Sequence, residues 1–332
     1  MKKFYFVLSL CLLLTVSFFV NPVSASQKER NDYTFKEIEQ MITEYLKENE
    51  YSLEVGTPEF TEFVIEQMNY DTDKKMAELE EYHLFCAYFA EYLYRLSLFE
   101  NEVEEELIED GNINGFSNNQ TLLEISGETF SMDNIHDITL GEMEEEIENQ
   151  EKIDNASMIS AEVVPMATNT LNIASARSYA KKYYSKYNGN FPRYSNDCTN
   201  FVSQILQAGG RRQVSKLTTA KLTSDTKYWF IKRRPDNTWS RSSSWTVVTD
   251  LYSHLVRTQK GYSSTSKTNI IKNAKSGDVI QFKKDGASRY SHAMWIYSKS
   301  SSNLSLSGHT SNYLKRSFNA ITGYKAYRIV KM

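Results

Sequence analysis

The sequence predicts an α+β protein, with a mainly helical first half and a second half in which an antiparallel sheet packs on one helix. Three observations lead to this prediction. In the first half, apolar residues recur at intervals of three and four, which is the period of a helix. In the second half, short apolar runs bounded by glycine and polar residues are typical of strands. The net charge also changes sign between the halves, near Pro165.

The N-terminal residues predict export. Lys2 and Lys3 precede an apolar run over residues 4–20, and the sequence Val-Ser-Ala at residues 23–25 has the small-x-small pattern of a signal-peptide cleavage site. We therefore expect residues 1–25 to be a signal peptide and the mature protein to be secreted. Because the apolar run is slightly longer than a typical signal core, an uncleaved membrane anchor is the alternative.

The first half of the mature chain, residues 26–149, is predicted to be an acidic, mainly helical domain. Its expected elements are helices over residues 35–45, 58–69 and 71–98 and a strand over residues 122–125, followed by a linker over residues 150–170. Cys86 lies within the third helical pattern, where a small buried apolar residue is the simplest interpretation. His83 and His136, and His254 in the second half, are isolated in sequence, which is typical of structural or surface histidines.

The two halves carry opposite charge. Residues 1–165 hold 10 Lys and Arg against 36 Asp and Glu, a net charge of −26, whereas residues 166–332 hold 28 against 6, a net charge of +22. Opposed charges of this size indicate partners or docking of one half on the other. We expect the acidic half to dock on the basic half and partly cover a groove there. Nucleic acid would also suit the basic half, but export and the lack of a known binding motif argue against it.

The second half, residues 171–332, contains a cysteine at the start of a predicted helix. Asp197 can cap this helix, and the two glycines at residues 209–210 end it. Its apolar face is formed by Phe201, Val202, Ile205 and Leu206. Cys198 therefore lies in the first helical turn.

That position suits a nucleophile. The positive end of the helix dipole and the free N–H groups of the first turn favour the thiolate of Cys198 over the thiol, so we expect a lowered pKa. The same N–H groups can bind the oxyanion that forms when a thiolate attacks a carbonyl. Tyr194 and Asn196 precede the helix closely enough to supply a further oxyanion donor.

A histidine begins a later strand. Residues 277–282 and 291–297 are predicted to be neighbouring strands joined by a hairpin loop, so His292 starts the second of them. On a sheet packed against the Cys198 helix, His292 could act as the general base. One cysteine and one or two histidines also occur in structural settings, however, so the spacing alone leaves catalysis open.

A third strand supplies the candidates for a third catalytic residue. It is predicted over residues 304–310 and would bring His309 beside His292, where it could hold the first imidazole in the right tautomer. Asn312 is the reserve candidate for this role.

Several short motifs in this half resemble a known family. They are DCTNFVSQ at residues 197–204, AGG at 208–210, GDV at 277–279, HAM at 292–294 and GHT at 308–310. In this order they resemble the putative amidase domain of secreted proteins from Gram-positive bacteria, over essentially all of residues 171–332. That domain is similar to the NlpC-type and CHAP cell-wall hydrolases.

The resemblance implies a papain-like fold and a cysteine-dependent amidase or peptidase. Cys198 would form a thioacyl intermediate, His292 would act as base and His309 as the third residue. Peptide or amide bonds of cell-wall peptidoglycan would be the substrate, and the basic surface could face anionic wall polymer. Thr199 and Asn200 follow the cysteine where the NlpC pattern has Ser-Gly, so the mechanism carries over better than the substrate.

No cofactor is expected, and no metal, because the second half holds only six acidic residues. Two other functions compete with hydrolysis. One is a non-catalytic module that binds the cell wall and retains the fold, and the other is acyl transfer to an amine.

Overall fold

A computed structural model describes residues 28–109, 129–160, 170–215, 222–235, 239–309 and 312–332. The predicted signal peptide, the strand predicted at residues 122–125 and Thr310 lie outside the described residues. Within them the chain combines helices with mainly antiparallel sheets, so the predicted α+β class is confirmed. None of the described helices is long and apolar enough to span a membrane.

The described part of the first half contains five α-helices: α1 (Phe35–Glu48), α2 (Pro58–Tyr70), α3 (Lys74–Ala77), α4 (Tyr82–Glu109) and α5 (Leu140–Ser160). Local sequence explains the starts of α1 and α2. Thr34 and Glu37 form a reciprocal capping box at α1, and Thr57 caps α2 with proline at its first position.

The prediction of a single helix over residues 71–98 is wrong, because two separate helices, α3 and α4, begin within this stretch. Asp71 ends α2 in the left-handed region, with φ +48°, and the Asp73 side chain caps the short helix α3. Helix α5 extends to Ser160, into the segment predicted as a linker. The helices bury one shared core of aromatic and aliphatic side chains, which includes Phe60, Tyr88, Tyr92 and Cys86.

The second half has five α-helices in its described part: α6 (Ile173–Tyr183), α7 (Cys198–Ala208), α8 (Ser243–Thr246), α9 (Val248–Val256) and α10 (Lys267–Asn273). A small sheet consists of β1 (Leu222–Thr223), β2 (Ile231–Arg233) and β3 (Trp239–Ser242). The six strands of the main sheet are β4 (Gly261–Ser264), β5 (Val279–Lys284), β6 (His292–Lys299), β7 (Leu304–Gly308), β8 (Tyr313–Ser317) and β9 (Tyr324–Val330).

The main sheet is antiparallel, in the order β4-β9-β5-β6-β7-β8, and α7 packs on β6. Side chains alternate across a strand, so β6 serves two cores. Ala293 and Trp295 share one apolar cluster with Cys198 and the rest of α7, whereas Met294 and Ile296 belong to the cluster on the other face. This alternation decides which residues of β6 can face the cysteine.

The first half contacts the loop that joins β5 to β6. Ala287 of this loop is buried in the core of the first half. At Gly286, with φ +81°, an added Cβ would lie 2.4 Å from the His83 carbonyl oxygen, so only glycine fits. Arg30 donates to the Gly286 carbonyl at 2.8 Å, and Ser288 donates to Glu144 at 3.0 Å. The loop immediately before His292 is therefore held by the first half.

Two buried ion pairs join the halves. Lys284 of β5 bonds to Asp71 at 2.6 Å, and Arg289 of the β5–β6 loop bonds to Glu91 at 2.6 Å. In each pair at least one side chain is only 2% exposed. Removal of one partner would leave a buried charge uncompensated, which costs roughly 3–5 kcal/mol in proteins.

Candidate active site

Cys198 is the first residue of α7 and is fully buried. Its Sγ donates to Asn196 Oδ1 at 3.3 Å and lies 3.7 Å from Thr199 Oγ1. Ala293, in β6, packs in the same apolar cluster as Cys198, and its backbone N–H acts to lower the pKa of the thiol. The helix that begins with Cys198 and the strand that begins with His292 thus meet near the sulfur atom.

Burial is the largest influence on the protonation of Cys198. Loss of water raises the pKa of the thiol to about 11, although the hydrogen bonds from Ala293 and Thr199 act in the opposite direction. The expected lowering of this pKa is therefore wrong for the closed site described here. Near neutral pH Cys198 is a thiol.

Asp197 does not cap α7 with its side chain, contrary to the prediction. Its Oδ1 instead accepts from the Tyr194 backbone N–H at 3.2 Å and from Asn200 Nδ2 at 2.8 Å. Its Oδ2 lies 2.6 Å from His309 Nδ1. The carboxylate is 1% exposed, so these three groups replace its water.

His309 is bound to this carboxylate and not to His292. Its Nε2 donates to the carbonyl oxygen of Tyr183 at 2.7 Å, and its ring stacks on Phe201 with centroids 3.7 Å apart. Both ring nitrogens are thereby engaged, so the predicted role of His309 in orienting His292 is not what this geometry provides. A buried carboxylate near the start of α7 is a stronger partner for an imidazole than a second histidine.

Asn312, the reserve candidate, is exposed and has a left-handed backbone with φ +54°. Among the described residues no hydrogen bond joins it to His292. The two candidates for the third role therefore both lie away from the predicted base.

His292 begins β6 as predicted, with its ring on the sheet face away from α7. Its register partner on β5 is Phe282, whose ring centroid lies 5.7 Å from that of His292 and which belongs to the core on that face. Burial, together with the charge of Arg316, lowers the pKa of His292 to about 3, so the ring is neutral. Its Nδ1 is buried and has no partner among the described residues, and no hydrogen bond joins His292 to Cys198 there.

The two oxyanion candidates differ in position. Asn196 contacts the sulfur directly through its Oδ1, with its amide nitrogen at the same site. Tyr194 is 3% exposed, and the Arg241 guanidinium lies over its ring at 5.8 Å. Asn196 is therefore the candidate that the geometry brings to the cysteine.

Helix α4 of the first half lies over this site. A cavity of about 10 Å³, large enough for one water, separates Ala90, Leu93 and Ser97 from Asn196 and Ser291. Glu100 accepts hydrogen bonds from the Ser195 backbone and hydroxyl, at 3.0 and 2.7 Å. The residues that flank Cys198 and His292 thus face the acidic half and not solvent.

A larger cavity, of about 250 Å³, lies next to the small one, and Tyr94, Thr249 and Tyr290 line both. Arg328 of β9 lines the large cavity and was not singled out from the sequence. An arginine inside the apolar strand pattern of residues 324–330 was the available signal. His254, expected to be structural, is buried in α9 beside Arg211 and the Thr226 carbonyl. Within the described residues, no cluster of three or more His, Cys, Asp or Glu could hold a metal ion.

Comparison with known proteins decides the family. Residues 170–331 match the family described as the putative amidase domain. The second half of this chain belongs to that family. The amidase domain therefore includes α6 to α10 and the described strands, with the Cys198 and His292 elements at its centre.

A curated relative of the chain is an uncharacterized protein, YhbB, of Bacillus subtilis (strain 168), which is 28% identical over 131 residues. The aligned part is 40% of this chain and 38% of the relative, so the chain spans well under half of that protein's length. No solved structure matches the chain.

Proposed function

We propose that the amidase domain is a secreted cysteine amidohydrolase of papain-like fold that cleaves peptide or amide bonds in cell-wall peptidoglycan. Cys198 is the nucleophile and His292 is the base. One observation carries the proposal: Cys198, at the start of α7, and Ala293, next to His292 in β6, pack in one apolar cluster. This packing brings a nucleophile and a helix N-terminus to the strand that begins with His292, and thiol acyl transfer requires a base beside such a nucleophile.

In the proposed reaction, His292 accepts the thiol proton and the Cys198 sulfur attacks the carbonyl carbon. The oxyanion accepts hydrogen bonds from first-turn N–H groups of α7 and from the Asn196 amide nitrogen. The C–N bond then breaks, and the leaving amine takes the proton from His292. Water attacks the thioacyl group, gives its proton to His292 and releases the acid, after which the proton returns to sulfur.

This chemistry requires the site to open. The fully buried thiol, with its pKa at about 11, and the neutral His292, with its pKa at about 3, are both products of burial. Water admitted between α4 and the amidase domain would move both values back toward their ordinary range. A backbone shift at the first residue of β6 would then bring the His292 ring from the opposite sheet face to the sulfur. The described state is thus the resting state of the proposed enzyme.

The experiment uses the full mature chain with purified peptidoglycan and mass spectrometry of the soluble fragments. We expect fragments with new amine and carboxyl ends, and none with Cys198→Ala. Release that is unchanged in Cys198→Ala, or no release under any condition, would remove the proposal. Added amines distinguish hydrolysis from acyl transfer, because a transferase would attach them to the acyl fragment.

The buried thiol favours one other candidate, a non-catalytic wall-binding module. Iodoacetamide alkylation of Cys198, measured in a Cys86→Ala background with wall fragments present, separates the two. An enzyme's thiol reacts faster than free cysteine and slows when His292 is replaced by alanine. The thiol of a binding module stays unreactive and is insensitive to His292→Ala.

A further inference from the structure

Arg328 is a buried cation in the core sheet. It is 6% exposed, and its guanidinium lies between the rings of Tyr252 and Tyr290, 3.8 and 4.0 Å from their centroids. Its Nε donates to Gln281 Oε1 at 2.7 Å, and Gln281 in turn donates to the Val248 carbonyl. Two aromatic faces and an anchored glutamine fix the plane of the guanidinium, so the geometry of its remaining donors is fixed as well.

Within the described residues no carboxylate forms a salt bridge with Arg328, and Glu151 acts on its charge from a longer distance. Lys284 and Arg289, two other buried cations near the boundary between the halves, each bond to a carboxylate. Arg328 forms no such pair, and its buried Nη2 has no hydrogen-bond partner in the described part. Burial lowers the pKa of Arg328 to about 10, which leaves it charged at neutral pH. A fixed, desolvated guanidinium with an unused donor is built to receive an acceptor oxygen.

A cavity adjoins this cation. Its volume of about 250 Å³ corresponds to roughly eight waters at their share of liquid volume, which suits an amino acid or a very short peptide. The same lining contains two carboxylates, those of Glu151 from α5 and Asp250 from α9. A ligand with one negative and one positive group therefore fits the lining better than a simple anion does.

We propose that this cavity is a peptide subsite, in which Arg328 binds a free carboxylate of the ligand and Glu151 and Asp250 face its ammonium group. Arginine suits the first role because its N–H groups match the two oxygens of a carboxylate. The tyrosines on either side supply the apolar walls.

The subsite joins the site of the proposed enzyme. Tyr94, Thr249 and Tyr290 line both the large cavity and the small one, and the small one reaches Asn196, whose side chain contacts the Cys198 sulfur. Resting on the proposed function, the inference is that substrates of the amidase domain are peptides with a free charged end near the scissile amide. The small cavity has a volume of only about 10 Å³ in the closed state, so we expect a peptide to reach Cys198 only when α4 moves.

Calorimetric binding on the full mature chain carrying Cys198→Ala tests the subsite without turnover. The probes are alanyl-alanine and alanyl-alaninamide, which differ only in the terminal carboxylate. We expect the amide to bind about 10- to 100-fold more weakly, since a hydrogen bond to a charged group is lost. Equal affinities for the two probes would overturn the proposal. This comparison requires no substitution in the cavity.

The variants are Arg328→Gln and Glu151→Gln, with Arg177→Gln as the matched control. Arg177 also stacks on a tyrosine, 5.6 Å from the Tyr297 centroid, and its Nε also donates to an oxygen, but it does not line the cavity. We expect Arg328→Gln to abolish the preference for the carboxylate. Glu151→Gln should weaken both probes by the same factor, because both carry the ammonium group, and Arg177→Gln should change neither affinity. Acetate or phosphate binding as tightly as alanyl-alanine would replace the peptide subsite by a simple anion site.

The two proposals fail in different ways. If the wild-type chain releases wall fragments but the dipeptide binds independently of its carboxylate, the subsite is wrong and the enzyme stands. If the dipeptide binds through Arg328 but no substrate is cleaved, the subsite stands and the hydrolase is wrong. Should Arg328→Gln fail to fold, the comparison of the two probes on the Cys198→Ala chain still decides the point.

Discussion

Cys86 and Cys198 sit in the cores of the two halves, and their resting states are nearly the same. Both thiols are free and at least 99% buried, and burial raises the pKa of Cys86 to about 12 and that of Cys198 to about 11. What differs is their surroundings. Cys86 lies inside α4, among side chains of the first-half core, whereas Cys198 begins α7, bonds to Asn196 and packs with Ala293 of β6.

The comparison shows that a helix start does not by itself make a cysteine reactive. Desolvation outweighs the hydrogen bonds that lower the pKa of Cys198 as long as the site is closed. Access to Cys86 requires the first-half core to unfold, but Asn196 and Ser291 beside the catalytic candidates face α4 across a boundary between the halves. Reactivity then depends on how easily that boundary opens.

The largest expected difference between the cysteines is in activity. Cys198→Ala should reduce amide hydrolysis at least about a thousandfold, because it removes the nucleophile, whereas Cys86→Ala should leave the rate nearly unchanged. Each substitution removes one buried sulfur, so both should lower the free energy of unfolding by about 1 kcal/mol. Rates on a peptidoglycan fragment and urea unfolding of both variants check this. Equal hydrolysis rates in the two variants would contradict the assignment of Cys198, and not Cys86, as the nucleophile.

The next effect concerns the histidine that supports the Cys198 helix. His309→Ala should lower the free energy of unfolding by roughly 3–5 kcal/mol, since it leaves the buried Asp197 carboxylate without its imidazole partner. His83→Ala is the control, because His83 makes a hydrogen bond on the exposed side of α4. Denaturant unfolding measures both. A large loss of activity in His309→Ala with unchanged stability would restore its predicted role beside His292.

Acid should lower the free energy of unfolding through two buried histidines of the second half. The pKa values of His254 and His292 are lowered by burial to about 3 in the folded chain, whereas an unfolded histidine titrates near pH 6.5. The unfolded state therefore binds more protons between about pH 3 and pH 6.5, and stability falls as the pH is lowered through this window. From pH 7 to pH 5.5 the loss should be about 2 kcal/mol. His292→Gln should remove about half of it, and an unchanged slope in that variant would contradict the burial of His292.

The smallest expected effect is on opening of the boundary. In a Cys86→Ala background, Glu91→Gln and Asp71→Asn should each raise the rate at which iodoacetamide alkylates Cys198 by about tenfold, because each leaves a buried cation unpaired. Asp285→Asn is the control, since its pair with Lys325 is exposed and contributes little. Salt should raise the wild-type rate less than these substitutions do, because buried pairs are screened weakly. Equal alkylation rates in all three variants would show that the first half does not limit access to Cys198.

Local features were determined by the sequence itself. The helical period of α1 and α2, the ends of the Cys198 helix and the strands that begin near residues 279, 292 and 304 follow from patterns within about ten residues. The order of the motifs around Cys198, His292 and His309 was enough to indicate the amidase family. These signals are readable because each depends on neighbours in the chain.

Contacts between distant residues were decided only by the tertiary structure. Asp197 and His309 are 112 residues apart, and a single buried carboxylate diverted the histidine from its predicted partner. Burial reversed the expected pKa of Cys198, and the register of β6 with β5 turned His292 toward Phe282. The proposed role of Arg328 depends on two tyrosines and a cavity that no local sequence pattern contains. Desolvation and charge pairing depend on which groups meet in space, and sequence spacing does not fix that.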